Sequence, residues 1–312
     1  MERRKFIIDC DTGTDDAIAL CAALGSEEIE LLGITSVNGN VQEKYTSANN
    51  LNIMEYLGYS IPVTHGAIWP LTMGYRNSSE MTHGLSGLGS VVIPEAKKTD
   101  FSPCIACDFL YQKAVECAGE LELLVIGPMT NIALAVIQYP DFPKLIRHLY
   151  FMGGALSGGN VTPTAEFNIW ADPEAAHTVF QSGIPLTMVG LDVTLKAVMK
   201  EEDIVELRSL HSKAGDFVAD LLDFMVERRD KGGEDLVMHD ALALAAALYP
   251  DCLQFKDYWM DVELTGTYSR GHTFADRRNR YHKEPNVCAA IEVDSVAFRK
   301  WLISKVALCH GE

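Results

Sequence analysis

The amino-acid sequence predicts a single α/β domain over residues 1–312, in which helices cover both faces of a mostly parallel central sheet. Three observations carry this prediction. Short apolar runs alternate with helical patterns from the first residues onward, and no internal repeat or low-complexity tract divides the chain. The length of 312 residues is enough to bury a sizeable core. Strands that alternate with helices pair in parallel through right-handed crossovers, which places helices on both faces.

The elements of the first two thirds of the chain follow from local patterns. Short apolar runs predict strands at 5–9, 29–37, 62–64, 121–126, 145–152 and 185–189. Helical patterns lie between them at 15–24, 43–57, 102–117, 130–138 and 173–182. Gly25 and Gly58 end the first two helices, and Ser102 with Pro103 supplies an N-cap and a first-turn proline for the third.

The remaining segments complete the same architecture. Residues 66–101 are rich in glycine and weakly periodic, which predicts a long loop near the functional site. The region 200–248 is mainly helical in pattern, 258–264 and 286–293 are predicted closing strands, and 295–308 is the last helix. Ligands of such sheets bind beyond the carboxyl ends of the strands, so the polar clusters there are the candidates for function.

Composition excludes several classes of partner. The formal net charge of −17 disfavours binding to nucleic acid or to anionic membranes, and it favours a divalent cation or a small polar substrate. No apolar run approaches the ~20 residues of a membrane span. The basic start is followed by only three apolar residues, too few for a secretory signal, so we expect a cytoplasmic protein whose eight cysteines are reduced.

Four aspartates crowd the first strand–helix junction, at positions 9, 11, 15 and 16. Asp9 and Asp11 are two residues apart at a strand end, which predicts that their side chains share one face, and Gly13 permits the following turn. A like-charge contact at ~4 Å costs ~4 kcal/mol at an effective dielectric of ~20. A helix N-terminus offsets only about 0.3–1 kcal/mol per carboxylate. Helix capping and protonation are alternatives, but the spacing favours a Ca²⁺ or Mg²⁺ ion held by oxygen ligands.

The same Asp-x-Asp pattern at a strand end has a second interpretation. Phosphatases of the haloacid-dehalogenase type also open with such a pair, in which the first aspartate is the nucleophile and Mg²⁺ binds nearby. In that pattern Thr or Val follows two residues after the second aspartate, whereas this chain has Gly13. The pair Asp15 and Asp16 has no role in that scheme, so this alternative is the weaker one.

The junction is one of several motifs that are spread along nearly the whole chain. They occupy residues 9–17, 34–40, 83–84, 127–133, 152–154, 160–174 and 238–241. Their order and spacing resemble the inosine–uridine-preferring nucleoside hydrolase family, whose opening pattern is Asp-x-Asp-Pro-Gly-x-Asp-Asp-Ala. This chain departs from that pattern at Thr12, which replaces the proline.

The resemblance implies a Rossmann-like nucleoside hydrolase fold and a Ca²⁺-dependent N-glycosidase, which splits a ribonucleoside with water into ribose and a free base. By the same resemblance, the ion is bound by Asp11, Asp16, the Thr130 carbonyl and Asp240. Oxygen ligands of this kind suit Ca²⁺. The resemblance also implies a small ribonucleoside as substrate and a homodimer or homotetramer as the assembly.

The resemblance implies roles for further side chains as well. Asp11 is the general base for the attacking water, and His239 donates to the departing base. The ribose is held by Asp15, Asn40, Asn160, Glu166 and Asn168, with apolar contacts from Met152 and Phe167. Asn168 belongs to the catalytic set with Asp11 and His239, and His83 is the second histidine placed at the base end. In isolation, a histidine before Asp240 is more often a capping residue and a loop histidine such as His83 is usually solvated.

Base preference is the least determined property. Pyrimidine-preferring relatives use a Gln and a Tyr in the helical segment before the His-Asp pair, but this chain has no Gln, Tyr or Trp between His211 and Met238. We therefore predict broad or purine-inclusive specificity. The alternative to an enzyme is a non-catalytic relative that binds nucleosides, and Thr12 is its only support in the sequence.

Overall fold

The structure, a computed structural model, describes residues 3–72 and 80–311, except for the side chains of Glu80 and Met81. One eight-stranded sheet organises it. In spatial order its strands are Val63–Thr64 (β3), Ile29–Ser36 (β2), Arg4–Cys10 (β1), Leu121–Val125 (β4), Ile146–Met152 (β5), Leu186–Val189 (β6), Val287–Val293 (β10) and Leu253–Tyr258 (β7). Neighbouring strands are parallel except for β10 and β7. The predicted α/β fold with a mostly parallel sheet is confirmed.

Thirteen α-helices and one 3₁₀-helix, Pro250–Cys252, are recognised within the described ranges. The α-helices are Thr14–Leu24 (α1), Glu43–Leu57 (α2), Glu80–His83 (α3), Ala106–Cys117 (α4), Thr130–Gln138 (α5), Phe142–Leu145 (α6), Phe167–Ala171 (α7), Pro173–Phe180 (α8), Leu191–Thr194 (α9), Glu201–Ser209 (α10), Lys213–Asp230 (α11), His239–Leu248 (α12) and Ser295–Ala307 (α13). Within the described ranges, no helix combines the length and the apolar character that crossing a membrane requires.

The core lies on both faces of the sheet. Phe6 and Ile8 of β1 belong to one buried apolar cluster, whereas Ile7 belongs to a second. Because successive side chains of a strand point to opposite faces, the two clusters lie on opposite sides. Strands covered on both faces are expected to be mostly apolar, and β4 is buried at all five residues, of which only Glu122 is polar. The predicted placement of helices on both faces is therefore confirmed.

The predicted start of the helix at 102–117 is wrong. The helix α4 begins at Ala106, and neither Ser102 nor Pro103 is its N-terminal residue. The backbone N–H of Ser102 donates to Val63 O at 2.8 Å, and that of Ala106 donates to His65 O at 2.8 Å. The chain therefore runs extended beside β3 before the helix begins, and this tertiary pairing overrides the local capping signal.

The closing strands differ from the prediction at one end. Strand β10 confirms the prediction at 286–293, but 258–264 spans the end of β7 and a separate short strand, Met260–Val262 (β8). Strand β8 pairs with Thr273–Ala275 (β9) outside the main sheet. The edge strand β7 was missed because most of its side chains are at least partly exposed, which leaves no apolar run. The predicted loop 66–101 contains the short helix α3, and its residues 73–79 lie outside the described part.

Candidate active site

A cleft of about 850 Å³ opens beyond the carboxyl ends of β1, β4 and β5. Helix starts and loops that follow these strands form its walls, as expected for an open parallel sheet. The predicted site residues that line it are Asp15, Asn40, His83, Met152, Asn160, Glu166, Phe167, Asn168, His239 and Asp240. Asp11, Asp16 and Thr130 do not line the cleft; all three are buried. The structure thus brings predicted site residues from six separate segments of the chain to one cleft.

The junction between β1 and α1 depends on two close approaches of the backbone. A Cβ on Gly39 would lie 2.0 Å from Asp11 Oδ2, and one on Gly13 would lie 2.5 Å from His83 Nδ1. Both positions therefore require glycine. At the start of α1, the N–H of Gly13 donates to Asp16 Oδ2 at 2.9 Å, which closes the first turn around a carboxylate.

Three carboxylates meet beside this junction. Oxygens of Asp15, Asp16 and Asp240 lie within 4.8 Å of one another. Burial, followed by the repulsion of Asp16, raises the pKa of Asp15, and burial followed by the charges of Asp15 and Asp16 raises that of Asp240. Burial is also the largest cause that raises the pKa of Asp16. These groups are therefore costly to keep ionised without a compensating positive charge.

Asp11 adjoins this group and is held by the loop after β2. The N–H of Asn40 donates to Asp11 Oδ2 at 2.6 Å, and Asn40 Nδ2 donates to Asp16 Oδ2 at 3.1 Å. Burial, followed by repulsion from Asp16, raises the pKa of Asp11. The second oxygens, Asp11 Oδ1 and Asp16 Oδ1, are buried without a hydrogen-bond partner among the described residues. Each such buried oxygen costs about 1–3 kcal/mol.

This donor set fits a hard divalent cation. The side-chain donors are carboxylate oxygens, two oxygens of the group are buried without a hydrogen-bond partner among the described residues, and Ca²⁺ prefers oxygen ligands. Thr130 lies in the first turn of α5, where its hydroxyl donates to Asp172 Oδ2 at 2.7 Å. The role of its carbonyl as a ligand stays a prediction.

Asp9 does not belong to the carboxylate group, contrary to the prediction that it shares a face with Asp11. Strand β1 ends at Cys10, so the alternation of side chains does not continue to Asp11. Both carboxylate oxygens of Asp9 accept from Asn131 Nδ2, at 3.0 and 3.1 Å, and burial raises the pKa of Asp9 to about 8. Asp240, from the start of α12, takes the fourth place in the carboxylate group.

The cleft wall that faces the carboxylate group contains three polar side chains, and backbone groups orient each of them. They are Asn160, Glu166 and Asn168. Asn168 Nδ2 donates to Ile126 O at 3.0 Å and to Met152 O at 3.1 Å, which uses both amide hydrogens and leaves Oδ1 as an acceptor. Asn160 Oδ1 accepts from the N–H of Phe167 at 3.0 Å, which leaves its amide as a donor.

Glu166 has a structural task that the sequence analysis did not foresee. Its carboxylate accepts from the N–H groups of Gly154, Asn168 and Ile169 at 2.8, 2.9 and 3.2 Å, and thereby caps α7. Burial raises its pKa to about 7 although these hydrogen bonds oppose the shift. A carboxylate has about four acceptor sites, so these three bonds leave capacity for a ligand hydroxyl.

Of the two histidines in the cleft, His83 is buried and His239 is half-buried, and the pKa of each is lowered. Burial, followed by the charge of Arg228, lowers the pKa of His83 to about 3. The N–H of Thr14 donates to His83 Nδ1 at 3.2 Å, so the ring proton is on Nε2. Burial also lowers the pKa of His239, against the opposing charge of Asp15. The expectation of a solvated loop histidine is therefore wrong for His83.

The far end of the cleft contains residues without an assigned role in the sequence analysis. Phe224 and Arg228 of α11 line this end, together with residues 231–234 and Val237. Phe224 and Arg228 are four residues apart, so they share one face of the helix. That spacing was visible in the sequence, but nothing local to the segment showed which face points to the cleft.

Comparison with known proteins gives a consistent result. A model of the family "Inosine-uridine preferring nucleoside hydrolase" matches residues 6–300. The "Pyrimidine-specific ribonucleoside hydrolase RihA" of Escherichia coli O8 (strain IAI1) is 39% identical over 299 residues, which cover 94% of this chain and 95% of that protein. The RihA protein of Photobacterium profundum, described in the same words, is 37% identical over 308 residues, with 97% and 99% covered.

Solved structures agree with the sequence relatives. The "Purine-Preferring Ribonucleoside Hydrolase from Gardnerella vaginalis" superimposes with a TM-score of 0.93 at 34% identity, covering 98% of this chain and 99% of that one. A structure described as "Inosine-Guanosine Nucleoside Hydrolase (IG-NH)" has a TM-score of 0.89 at 27% identity, with the same coverage. The similar proteins thus include some that are described as pyrimidine-specific and one that is described as purine-preferring.

Proposed function

Because this chain belongs to the inosine-uridine preferring nucleoside hydrolase family, we propose that it hydrolyses ribonucleosides with the help of one Ca²⁺ ion in the cleft. The chain is a ribonucleoside hydrolase, an enzyme that cleaves N-glycosidic bonds. This membership excludes the phosphatase alternative. The Ca²⁺ dependence, the residue roles and the base preference are the proposed parts.

The observation that carries the proposal is the group of buried carboxylates beside the cleft. Four aspartates lie together, and two of their oxygens have no hydrogen-bond partner among the described residues. Asp11, Asp16, Asp240 and the Thr130 carbonyl would hold the ion. When bound, Ca²⁺ would offset the carboxylate charge and lower the pKa of the attacking water.

Asp11 is the proposed general base. Its Oδ2 is fixed by the N–H of Asn40, whereas its Oδ1 lacks a described partner and is the oxygen that can accept a proton from water. Gly39 leaves room for Oδ2 in this position, because a Cβ there would lie 2.0 Å from it. A positioned base of this kind contributes roughly 10²–10⁴-fold in rate.

The opposite wall is proposed to hold the ribose. Asn168 presents Oδ1 to a sugar hydroxyl, and Asn160 presents its amide to the 5′-hydroxyl. Glu166 and Asp15 are acceptors for further hydroxyls, and Asn40, which bonds to Asp11 and Asp16, is a further proposed ribose contact. Because these side chains are already oriented by backbone contacts, they stabilise an oxocarbenium-like transition state without having to reorganise.

His239 is proposed to donate a hydrogen bond to the departing base. Its Nδ1 lies 2.9 Å from Thr194 Oγ1. If the hydroxyl of Thr194 donates to Nδ1, the ring proton is on Nε2 and is free to point to the base. His83, with its proton on Nε2 as well, provides a second neutral donor at this end.

The proposed base preference includes purines. The cleft of about 850 Å³ ends in a wall of Phe224, Arg228 and Val237, where α11 provides neither a Gln nor a Tyr. A pyrimidine-specific enzyme is the second candidate, since the relatives with 37–39% identity carry that description. Release of hypoxanthine from inosine and of uracil from uridine separates the two candidates. A strong preference for uridine would support the second one.

The Ca²⁺ dependence is tested by metal removal and replacement. The enzyme is treated with a chelator selective for Ca²⁺ and assayed for reducing sugar released from inosine and uridine, before and after Ca²⁺ or Mg²⁺ is restored. We expect the activity to disappear and to return with Ca²⁺. Full activity after the metal is removed would contradict the proposal, and binding of nucleosides without release of base would favour the non-catalytic alternative.

A further inference from the structure

Arg228 stands out among the cationic residues of this acidic chain. It is half-buried, it lines the cleft, and no carboxylate among the described residues forms an ion pair with it. Its Nε is buried and has no hydrogen-bond partner within the described part of the chain. An uncompensated guanidinium at this place is costly, so the residue calls for a functional explanation.

One contact indicates what Arg228 does. Its Nη1 donates to the backbone carbonyl of Thr82 at 3.1 Å, and Thr82 immediately precedes His83. The same face of α11 makes a second contact with this segment, since a Cβ on Gly89 would lie 2.4 Å from the Phe224 ring. Helix α11 therefore touches the segment at both of its ends.

The segment between these contacts is compact. The N–H of Gly89 donates to His83 O at 2.8 Å, which closes a turn over residues 83–89. Asn49 Nδ2 donates both to Ser86 O, at 2.7 Å, and to Thr12 O, at 3.1 Å. The inner side of the turn is thus fixed to the carboxylate junction, while Phe224 and Arg228 of α11 contact the segment at Gly89 and Thr82.

We propose that Arg228 is a positioning residue for nucleoside hydrolysis, because its guanidinium fixes residues 82–89 against α11 and so holds His83 at the base end of the cleft. This inference rests on the proposed function. Arg228 acts through His83 and not through the ribose, since it contacts neither the carboxylate group nor the wall formed by Asn160, Glu166 and Asn168.

The neighbouring arginine offers a matched control. Arg229 Nη2 donates to Glu201 and Asp230, at 2.8 and 3.0 Å, and Arg229 does not line the cleft. Substitutions Arg228→Gln and Arg229→Gln remove the same charge from adjacent positions of one helix. Any difference between them therefore reports the local surroundings of Arg228 and not the change in net charge, and the His83→Ala background below isolates the part that acts through His83.

Three measurements on the Ca²⁺-loaded protein test the proposal. We expect Arg228→Gln to lower kcat/KM by roughly 10- to 100-fold, the scale of a misplaced catalytic group. The inhibition constant of ribose should stay the same, because the sugar wall is untouched. In the His83→Ala background, Arg228→Gln should have no further effect on kcat/KM. Arg229→Gln should resemble the unmodified enzyme throughout.

Hydrogen exchange tests the contact without reference to activity. The amide of Gly89 should exchange roughly tenfold faster in Arg228→Gln than in the unmodified protein, because the segment loses one of its two contacts with α11. Unchanged exchange at Gly89, an additive loss in the double variant, or a parallel rise in the ribose inhibition constant would overturn the proposal. If the unmodified protein hydrolyses no nucleoside, the proposed function fails, whereas the exchange result still decides whether Arg228 holds the turn.

Discussion

The two ends of the cleft are built in different ways. At the sugar end, Asp11, Asn160, Glu166 and Asn168 each have at least one side-chain atom fixed by a backbone group within 3.2 Å. At the base end, the exposed rim consists of Glu227, Lys231 and Glu234, and the wall comes from one helix terminus and a glycine-rich turn.

This difference suggests how one fold accommodates different bases. Groups fixed by strand ends cannot change without disturbing the sheet, so the sugar chemistry is built into the scaffold. The proposed base end depends on cleft-facing side chains of α11, such as Phe224 and Arg228, and on His83, and these side chains do not belong to the apolar core clusters. The similar proteins described as pyrimidine-specific and as purine-preferring are consistent with a constant sugar end and a variable base end.

The largest expected effect is at the sugar end. Asp11→Asn should reduce kcat by roughly 10²–10⁴-fold, because the amide retains an acceptor for Asn40 but cannot take a proton from water. The loss should be equal for inosine and uridine if this end is indifferent to the base. Steady-state kinetics with both nucleosides measures it, with the exposed Asp230→Asn as control. Unequal losses would break the distinction between the two ends.

At the base end the effect should depend on the leaving group. His239→Ala should lower kcat for inosine or uridine by roughly 10²-fold, because a hydrogen-bond donor to the departing base is lost. A riboside whose leaving group departs as a stable anion, such as 4-nitrophenolate, needs no such donor. It should be hydrolysed at nearly the original rate. Equal losses for both classes of substrate would show that His239 also serves the sugar end.

A smaller effect is expected at Asn160, which is proposed to bind only the 5′-hydroxyl of the substrate. Asn160→Ala should weaken kcat/KM for uridine by roughly tenfold, about 1.4 kcal/mol, because the amide no longer donates to the 5′-hydroxyl. For 5′-deoxyuridine the unmodified enzyme and the variant should be alike. Comparison of the four kcat/KM values measures the coupling. The same loss with both substrates would assign Asn160 to folding, since its Oδ1 also accepts from Phe167.

The smallest effect on activity is expected at Thr12, the residue that replaces the proline of the family pattern. Thr12 is buried and its hydroxyl donates to Asn50 Oδ1. Thr12→Val should lower the free energy of unfolding by about 1–3 kcal/mol, because that oxygen loses its donor, while kcat with saturating Ca²⁺ changes little. Denaturant unfolding measures the difference, and Thr12→Ser is the control. An abolished kcat in a folded Thr12→Val protein would show that this hydroxyl serves catalysis.

Sequence information was sufficient for the parts of the molecule that depend on short-range patterns. The parallel sheet followed from alternating apolar runs, and the junction from Asp11 to Asp16 followed from residue spacing. Asp240 is far from these residues in the chain and was placed by family resemblance.

The failures have a common physical cause, which is the dominance of tertiary contacts. Pairing with Val63 and His65 moved the start of α4, and Asn131 drew Asp9 away from the other acids. The positioning role proposed for Arg228 depends on its hydrogen bond to the carbonyl of Thr82, which is 146 residues away in the chain. No local pattern encodes such a contact.

The amide of Asn168 joins two neighbouring strands just where their regular pairing stops. It bridges carbonyls that follow β4 and end β5, while its remaining oxygen is available to the substrate. The proposed substrate contact and the cohesion of the sheet rim therefore share a single side chain. Replacing Asn168 would destabilise the rim of the sheet and weaken substrate binding at the same time. A mutation at this position therefore cannot change one property without the other.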